Sequence, residues 1–254
     1  TVFAPAAAYY ITATDSFVFC VRVFLDDDKK VHFTLHAWNQ GKKTESVYLA
    51  SYFEALLWYE ESEGYWVRKA RTAVKLDNGN IVMKTNHFLT NCLSVNYDIA
   101  PAAKKIETTV FSIDFTGKRG RSFANGLALK IGSFAGKGKV DWKTEYASLP
   151  IAGNITHFDL AAGESCQLDV SFLQSYDYDE AVATATTICS YPDLSQQVAE
   201  KESKLTAALQ PLSIQFKDWT AGKLDTEVLN RFLKTVQRQV EICSFGKSYT
   251  ESDR

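Results

Sequence analysis

The sequence predicts a mainly β protein: a large antiparallel β-sandwich over residues 1–175, followed by C-terminal linker helices over 176–254. Three observations predict it. Short runs rich in β-branched and aromatic residues recur up to Ser175, separated by Gly, Asn and Asp turns. Beyond Ser175 the texture changes to segments whose apolar residues lie three or four apart, the spacing of a helix face. No repeat of about 20 to 50 residues is visible, which weighs against a propeller or solenoid.

Each element follows from its local pattern. Residues 17–25 are apolar on both faces and predict an inner strand, which Asp26-Asp27-Asp28-Lys29-Lys30 ends. Val31, Phe33, Leu35 and Ala37 then alternate with His32, Thr34, His36 and Trp38, the period of two of a half-exposed strand. Asn39-Gln40-Gly41-Lys42-Lys43 turns the chain into a strand within 44–59, which runs out into a loop at Glu60-Glu61-Ser62-Glu63-Gly64. Strands over 65–76 and 81–84 flank Asp77-Asn78-Gly79-Asn80, where Asn-Gly accepts the positive φ that a hairpin turn demands. Further strands are predicted at 88–97, 108–115, 127–131, 155–160 and 165–172. In the last, Cys166, Leu168, Val170 and Phe172 face inward against Gln167, Asp169 and Ser171. A helix opens at Asp179-Glu180 and stops before Pro192, and a second, with Asp193 and Gln196 in capping-box spacing, runs to about Leu209. A third begins near Asp225, with Leu229, Phe232, Val236, Val240 and Cys243 forming an apolar stripe that needs a partner.

Composition narrows the function. A chain that is 46% hydrophobic and 23% charged, with five prolines in 254 residues, buries a sizeable core and is neither disordered nor collagen-like. With 28 Lys and Arg against 30 Asp and Glu, the net charge of −2 supplies no overall basic field for nucleic acid or an anionic membrane, and neither is an expected partner. No apolar run approaches the roughly 18 residues of a membrane-spanning helix. Five scattered cysteines without Cys-x-x-Cys spacing, and an N-terminus without a basic, apolar and small-residue leader pattern, predict reduced buried thiols in a cytoplasmic protein.

Few residues are spaced for catalysis. His32 and His36 share one face of a strand about 13 Å apart, too far for a common metal, so no metal is expected. His87 and His157 have no third ligand or nucleophile at a recognisable spacing, and no Gly-x-Ser-x-Gly elbow occurs. Gly117-Lys118-Arg119-Gly120-Arg121 and the glycines at 132, 136 and 138 resemble phosphate loops in composition alone and predict solvated hairpin tips. Asn154-Ile155-Thr156 is a glycosylation sequon by chance. Glu54, Glu60, Glu61, Glu63 and Asp98 could supply an acid and base for glycoside chemistry if two of them met. The more pointed signal is aromatic: Trp58, Tyr65, Trp66, Arg68 and Arg71, with Tyr59 and Lys69, set flat faces and forked donors around one loop. Such a set suits stacking on sugar rings and bonding to their hydroxyls, and equally suits an aromatic core with a basic outer strand.

Ser51-Tyr52-Phe53-Glu54-Ala55-Leu56-Leu57, Glu63-Gly64-Tyr65-Trp66, Ala70-Arg71-Thr72-Ala73, Thr85-Asn86-His87-Phe88-Leu89, Leu229-Asn230-Arg231-Phe232-Leu233 and Gln237-Arg238-Gln239-Val240-Glu241 follow in order. Together these blocks resemble the non-catalytic sandwich and linker of glycoside hydrolase family 94, the inverting phosphorylases of β-linked oligoglucans. The β-1,2-oligoglucan branch resembles the chain more closely than the β-1,3 branch. The resemblance implies a super-sandwich, linker helices and then an (α/α)₆ barrel that carries the catalytic Asp and the phosphate pocket. It matches no catalytic residue to this chain, so 1–254 by itself is expected to be inactive, with catalysis following Arg254. It implies no cofactor, inorganic phosphate as co-substrate, α-glucose 1-phosphate as product, β-linked oligoglucan and the barrel as partners, and a homodimer surface on the sandwich. Substrate contact, if the sandwich makes it, falls to Trp58, Tyr65, Trp66, Arg68 and Arg71. The rival expectation is a stand-alone carbohydrate-binding sandwich.

Overall fold

The computed structural model describes residues 1–4, 6–26, 29–55, 72–84, 91–117, 126–134, 150–187 and 194–209. The chain divides into two compact units, one of Tyr10–Tyr191 and one that joins Thr1–Tyr9 to Pro192–Arg254.

The larger unit is an antiparallel β-sandwich. Its strands are β2 (Ala7–Ala13, entering the unit at Tyr10), β3 (Phe17–Leu25), β4 (Val31–Asn39), β5 (Glu45–Phe53), β6 (Thr72–Lys75), β7 (Ile81–Lys84), β8 (Cys92–Ala100), β9 (Lys105–Phe111), β10 (Pro150–Leu160) and β11 (Ser165–Ser175). One sheet runs β2-β3-β4-β11-β8-β7-β6 and the other β5-β10-β9. In the smaller unit β1 (Val2–Phe3) pairs antiparallel with the start of β2, Val2 opposite Tyr9. The Ala-Tyr-Tyr-Ile-Thr run of β2 carries strand-forming residues that the sequence analysis passed over.

Register explains the core. Strand β11 lies between β4 and β8, with Leu168 opposite Leu35 and Ile99, and Val170 opposite Phe33 and Tyr97. These side chains, with Ile81, Met83 and Val95 of the same sheet, face the small sheet, where Leu49, Phe53, Ala152, Phe158 and Leu160 meet them. Each large apolar side chain so buried contributes about 1.5–3 kcal/mol. The hairpin at Asn78-Gly79 forms as expected: Gly79 takes φ +87°, Leu76 N donates to Asn80 O, and Asn80 N donates to the Asn78 side chain.

Helices cover the two outer faces by different means. Helix α3 (Tyr178–Thr186) is capped by Asp177, whose carboxylate accepts from Glu180 N, and it lays Ala181 and Ala185 on Val82 and Cys92. Side chains of the large sheet then satisfy its carbonyls: Ser94 donates to Ala181 O, Asn96 to Thr184 O, and Asn78 and Asn80 both to Ala185 O. The outer face of the small sheet is covered instead by α1 (Ser112–Thr116), α2 (Leu127–Ile131) and the turn after it, through Phe115, Ala128, Leu129 and Phe134 on Tyr48, Tyr52, Ile151 and Ile155. In the smaller unit α4 (Leu194–Leu209) ends where the sequence places its end; its expected cap, Asp193, lies outside the described residues.

Residues 127–131, expected as a strand, are helix α2, and the strand expected over 108–115 ends at Phe111, where α1 begins. Five apolar-rich residues are too few for periodicity to separate the two states. The bracketing glycines decide it. Gly126 precedes the helix with Leu129 N donating to its carbonyl, and Gly132 ends it in the left-handed conformation at φ +66°. Gly117 ends α1 with a positive φ of +80° but at ψ 165°, outside the left-handed helical region. Both glycines therefore end helices, where hairpin tips were expected. The third predicted helix, with Leu229, Phe232, Val236 and Val240, lies outside the described residues.

Candidate functional site

Among the described residues, a group of buried ionisable side chains sits on the outer face of the large sheet. Sequence alternation assigns His32, Thr34 and Asp169 to a half-exposed face, yet they are 0, 0 and 1% exposed. Strand pairing brings them together, with Asp169 opposite Thr34 and the next cross-strand pair joining Ser171 to His32. His32 Nδ1 lies 2.7 Å from Asp169 Oδ2, and Thr34 Oγ1 donates to Asp169 Oδ1 over 2.7 Å. On the far side of the ring, Nε2 lies 3.1 Å from Asp26 Oδ2. Asp26 also holds the β3–β4 turn, accepting from Lys30 N at Oδ1 while its own N donates to Lys30 O. Phe24 stacks on the imidazole at 4.6 Å, and the Arg22 guanidinium sits 5.5 Å from the same phenyl ring.

This geometry selects the doubly protonated ring, because an imidazolium donates from both nitrogens and each faces a carboxylate. Burial by itself would lower the His32 pKa, but Asp169 and then Asp26, through hydrogen bonds and charge, outweigh it and raise the value above 6.5. The two carboxylates lie on opposite ring nitrogens, so the three groups do not converge on one point. Among the described residues no cluster of His, Cys, Asp and Glu is arranged to hold a metal ion. Sealed from solvent, the network ties β3, β4 and β11 together and offers no surface to a substrate.

A second histidine is partly exposed. His157, on the outer face of β10, is tilted against Tyr48 and lies 3.6 Å from Glu107, which also accepts from Lys105 and Ser133. The Glu107 carboxyl is opposed by burial, but the hydrogen bonds from Lys105 and Ser133 and the nearby positive charge hold its pKa below the ordinary value. Asp159, two residues beyond His157 on the same strand, accepts from Ser46 and Lys104.

The sugar-contact candidates Trp58, Tyr65, Trp66, Arg68 and Arg71 lie outside the described residues, as do Tyr59, Lys69, His87, Glu60, Glu61 and Glu63. The structure does fix where their segment is anchored. It leaves β5, an edge of the small sheet, after Ala55, and returns at Thr72 into β6, the edge of the large sheet. Of the candidate carboxylates, Glu54 accepts from the Tyr52 hydroxyl at the end of β5, whereas Asp98 lies on β8 opposite Asp169. They belong to different sheets and form no acid–base pair. Asn154 of the sequon is 0% exposed and could not take a glycan in the folded protein. Cys20, Cys92 and Cys166 are free, buried thiols, and burial pushes Cys166 up to about 11.

No protein-family model matches the sequence, and no curated protein is similar to it. Solved structures of similar shape include a polysaccharide lyase (14% identity, TM-score 0.41, covering 70% of this chain and 23% of that one). A protein from the human microbiome assigned as a kojibiose phosphorylase gives 10% identity and TM-score 0.43, covering 80% of this chain and 23% of that one. An Escherichia coli K12 protein assigned as an aldose 1-epimerase gives 12% identity and TM-score 0.32, covering 70% of this chain and 68% of that one. The chain thus spans about a quarter of the length of the first two. Likenesses of this size leave function to be argued from residues and architecture.

The sequence missed the His32 network. Its members are scattered over residues 26–169, and only Asp26, the acidic residue directly after a strand, carried a local signal.

Proposed function

We propose that this chain is the sandwich and linker portion of an inverting glycoside phosphorylase of the family 94 type, cleaving β-linked oligoglucans with phosphate to release α-glucose 1-phosphate. The β-1,2 linkage is the first candidate and β-1,3 the second. One observation carries the reading: a two-sheet antiparallel sandwich followed by helices, the order that the resemblance implies, with Ser51-Tyr52-Phe53 closing β5 and Thr72-Ala73 opening β6. In this reading the sandwich scaffolds an (α/α)₆ barrel and the segment 56–71 overhangs the glucan cleft. The acid that protonates the leaving oxygen, and the phosphate that attacks the anomeric carbon from the other face, belong to the barrel.

The test has two arms. Purified 1–254 with phosphate and either glucan is expected to form no sugar phosphate above the enzyme-free control, whereas the complete gene product releases glucose 1-phosphate from one of them. Failure of the complete product with both glucans overturns the reading, and glucan binding by 1–254 from a gene without a barrel supports the binding-module rival. Within the complete enzyme, Trp66→Ala and Arg71→Ala are expected to raise KM for long glucans at near-normal melting temperature. A melting-temperature loss matching about 3–5 kcal/mol with unchanged kinetics would place Trp66 in the core instead.

A further inference from the structure

We propose that the interior of the sandwich contains a water-binding site formed by Ser51, Tyr97 and Asn154, a bound water joining the two sheets where their side chains do not bond directly. The inference is independent of the proposed function. Strand register places Asn154 of β10 opposite Ser51 of β5, so their side chains are neighbours on the inner face of the small sheet. Tyr97 faces them from β8 of the large sheet, among the residues that pack on the core. The Ser51 hydroxyl lies near enough to the Tyr97 phenol to offset part of the rise that burial imposes on its pKa, yet the two make no hydrogen bond of ordinary geometry.

The donor and acceptor count leaves three atoms over. Asn154 is 0% exposed; its Oδ1 accepts from Thr156 Oγ1 over 2.7 Å, but its Nδ2 has no partner. Ser51 Oγ and Tyr97 Oη are likewise buried without one. Polar atoms in a protein interior are almost always paired, and those without a protein partner are held by buried water making about three hydrogen bonds. One water matches this set: it accepts from Asn154 Nδ2 and from the Tyr97 hydroxyl, and donates to Ser51 Oγ.

A high-resolution crystal structure of the unaltered chain tests this directly. The expected result is an ordered water within about 2.6–3.2 Å of Asn154 Nδ2, Ser51 Oγ and Tyr97 Oη. Direct bonding among the three side chains, with no density between them, overturns the proposal. In solution, water-oxygen relaxation dispersion should count at least one fewer long-lived water in Ser51→Ala or Tyr97→Phe than in the unaltered protein. An unchanged count in both variants, each checked as folded by circular dichroism, also overturns it.

Discussion

His32 and His36 lie four residues apart on the same face of the same strand, and the fold drives them in opposite directions. His32, at the start of β4, is wedged between Asp169 and Asp26 and is held protonated. His36, two repeats of the pleat beyond, stacks on Trp38 at 5.3 Å and is pulled down to about 4, first by burial and then by the charge of Arg22, against a smaller opposing pull from Asp169. The difference comes from the adjacent strands. Asp169 pairs with Thr34, midway between the two histidines, but its carboxylate bonds to His32, and Asp26 beyond the end of β3 closes the far side of that ring, whereas His36 lies between Gln167 and Cys20. Residue type and spacing are the same at both places; the partners are not.

Among substitutions at the two histidines, His32→Leu should have the largest effect. It removes the cation and leaves the buried carboxylates of Asp26 and Asp169 facing an apolar side chain, a loss expected to be about 3–5 kcal/mol in urea unfolding at neutral pH. Asp169→Asn should cost less, about 1.5–3 kcal/mol, since it weakens the charge-assisted bonds from His32 and Thr34 without emptying the site.

Opposite shifts give opposite pH dependence. The folded protein holds a proton on His32 that the unfolded chain releases near pH 6.5, so this contribution is complete below about pH 6.5 and is lost as pH rises through the raised folded pKa. His36 works the other way. The fold keeps it neutral to about 4 while the unfolded chain protonates near 6.5, so its contribution is lost as pH falls between those values. Stability measured from pH 4 to 9 should fall at both ends. Asp169→Asn should start the alkaline fall at lower pH, and His36→Gln should flatten the acid fall while barely changing stability at pH 7. An acid limb unaltered in His36→Gln would show that other groups produce it.

The smallest effect sharpens the causes at His36. Arg22→Gln removes a charge but not the burial, and burial is the larger cause, so the NMR titration midpoint of His36 should rise only part of the way toward 6.5. A full return to that value would make charge, rather than burial, the dominant cause.

Much of the fold was legible locally. Strands β3 and β4 follow from alternation and composition, the β6–β7 hairpin from Asn-Gly, and α3 from its acidic first turn and the proline beyond it, because each signal acts within a few residues. Helix α2 was misread because its decisive feature is a glycine that accepts φ +66°, a backbone state with no hydrophobic period. The aromatic candidates of 56–71 were legible as a group, and what they face rests on experiment.

A β-sandwich followed by helices is already specified by the order of residues, since side-chain alternation and turn chemistry are properties of neighbouring residues. That His32 meets Asp169, 137 positions away, and that Asn154 lies opposite Ser51 are set by the pairing of distant strands. The physical reason is register. Alternation says which residues share a face, but which residues meet across strands depends on how the strands slide against one another, and a shift of one residue would replace every such partner.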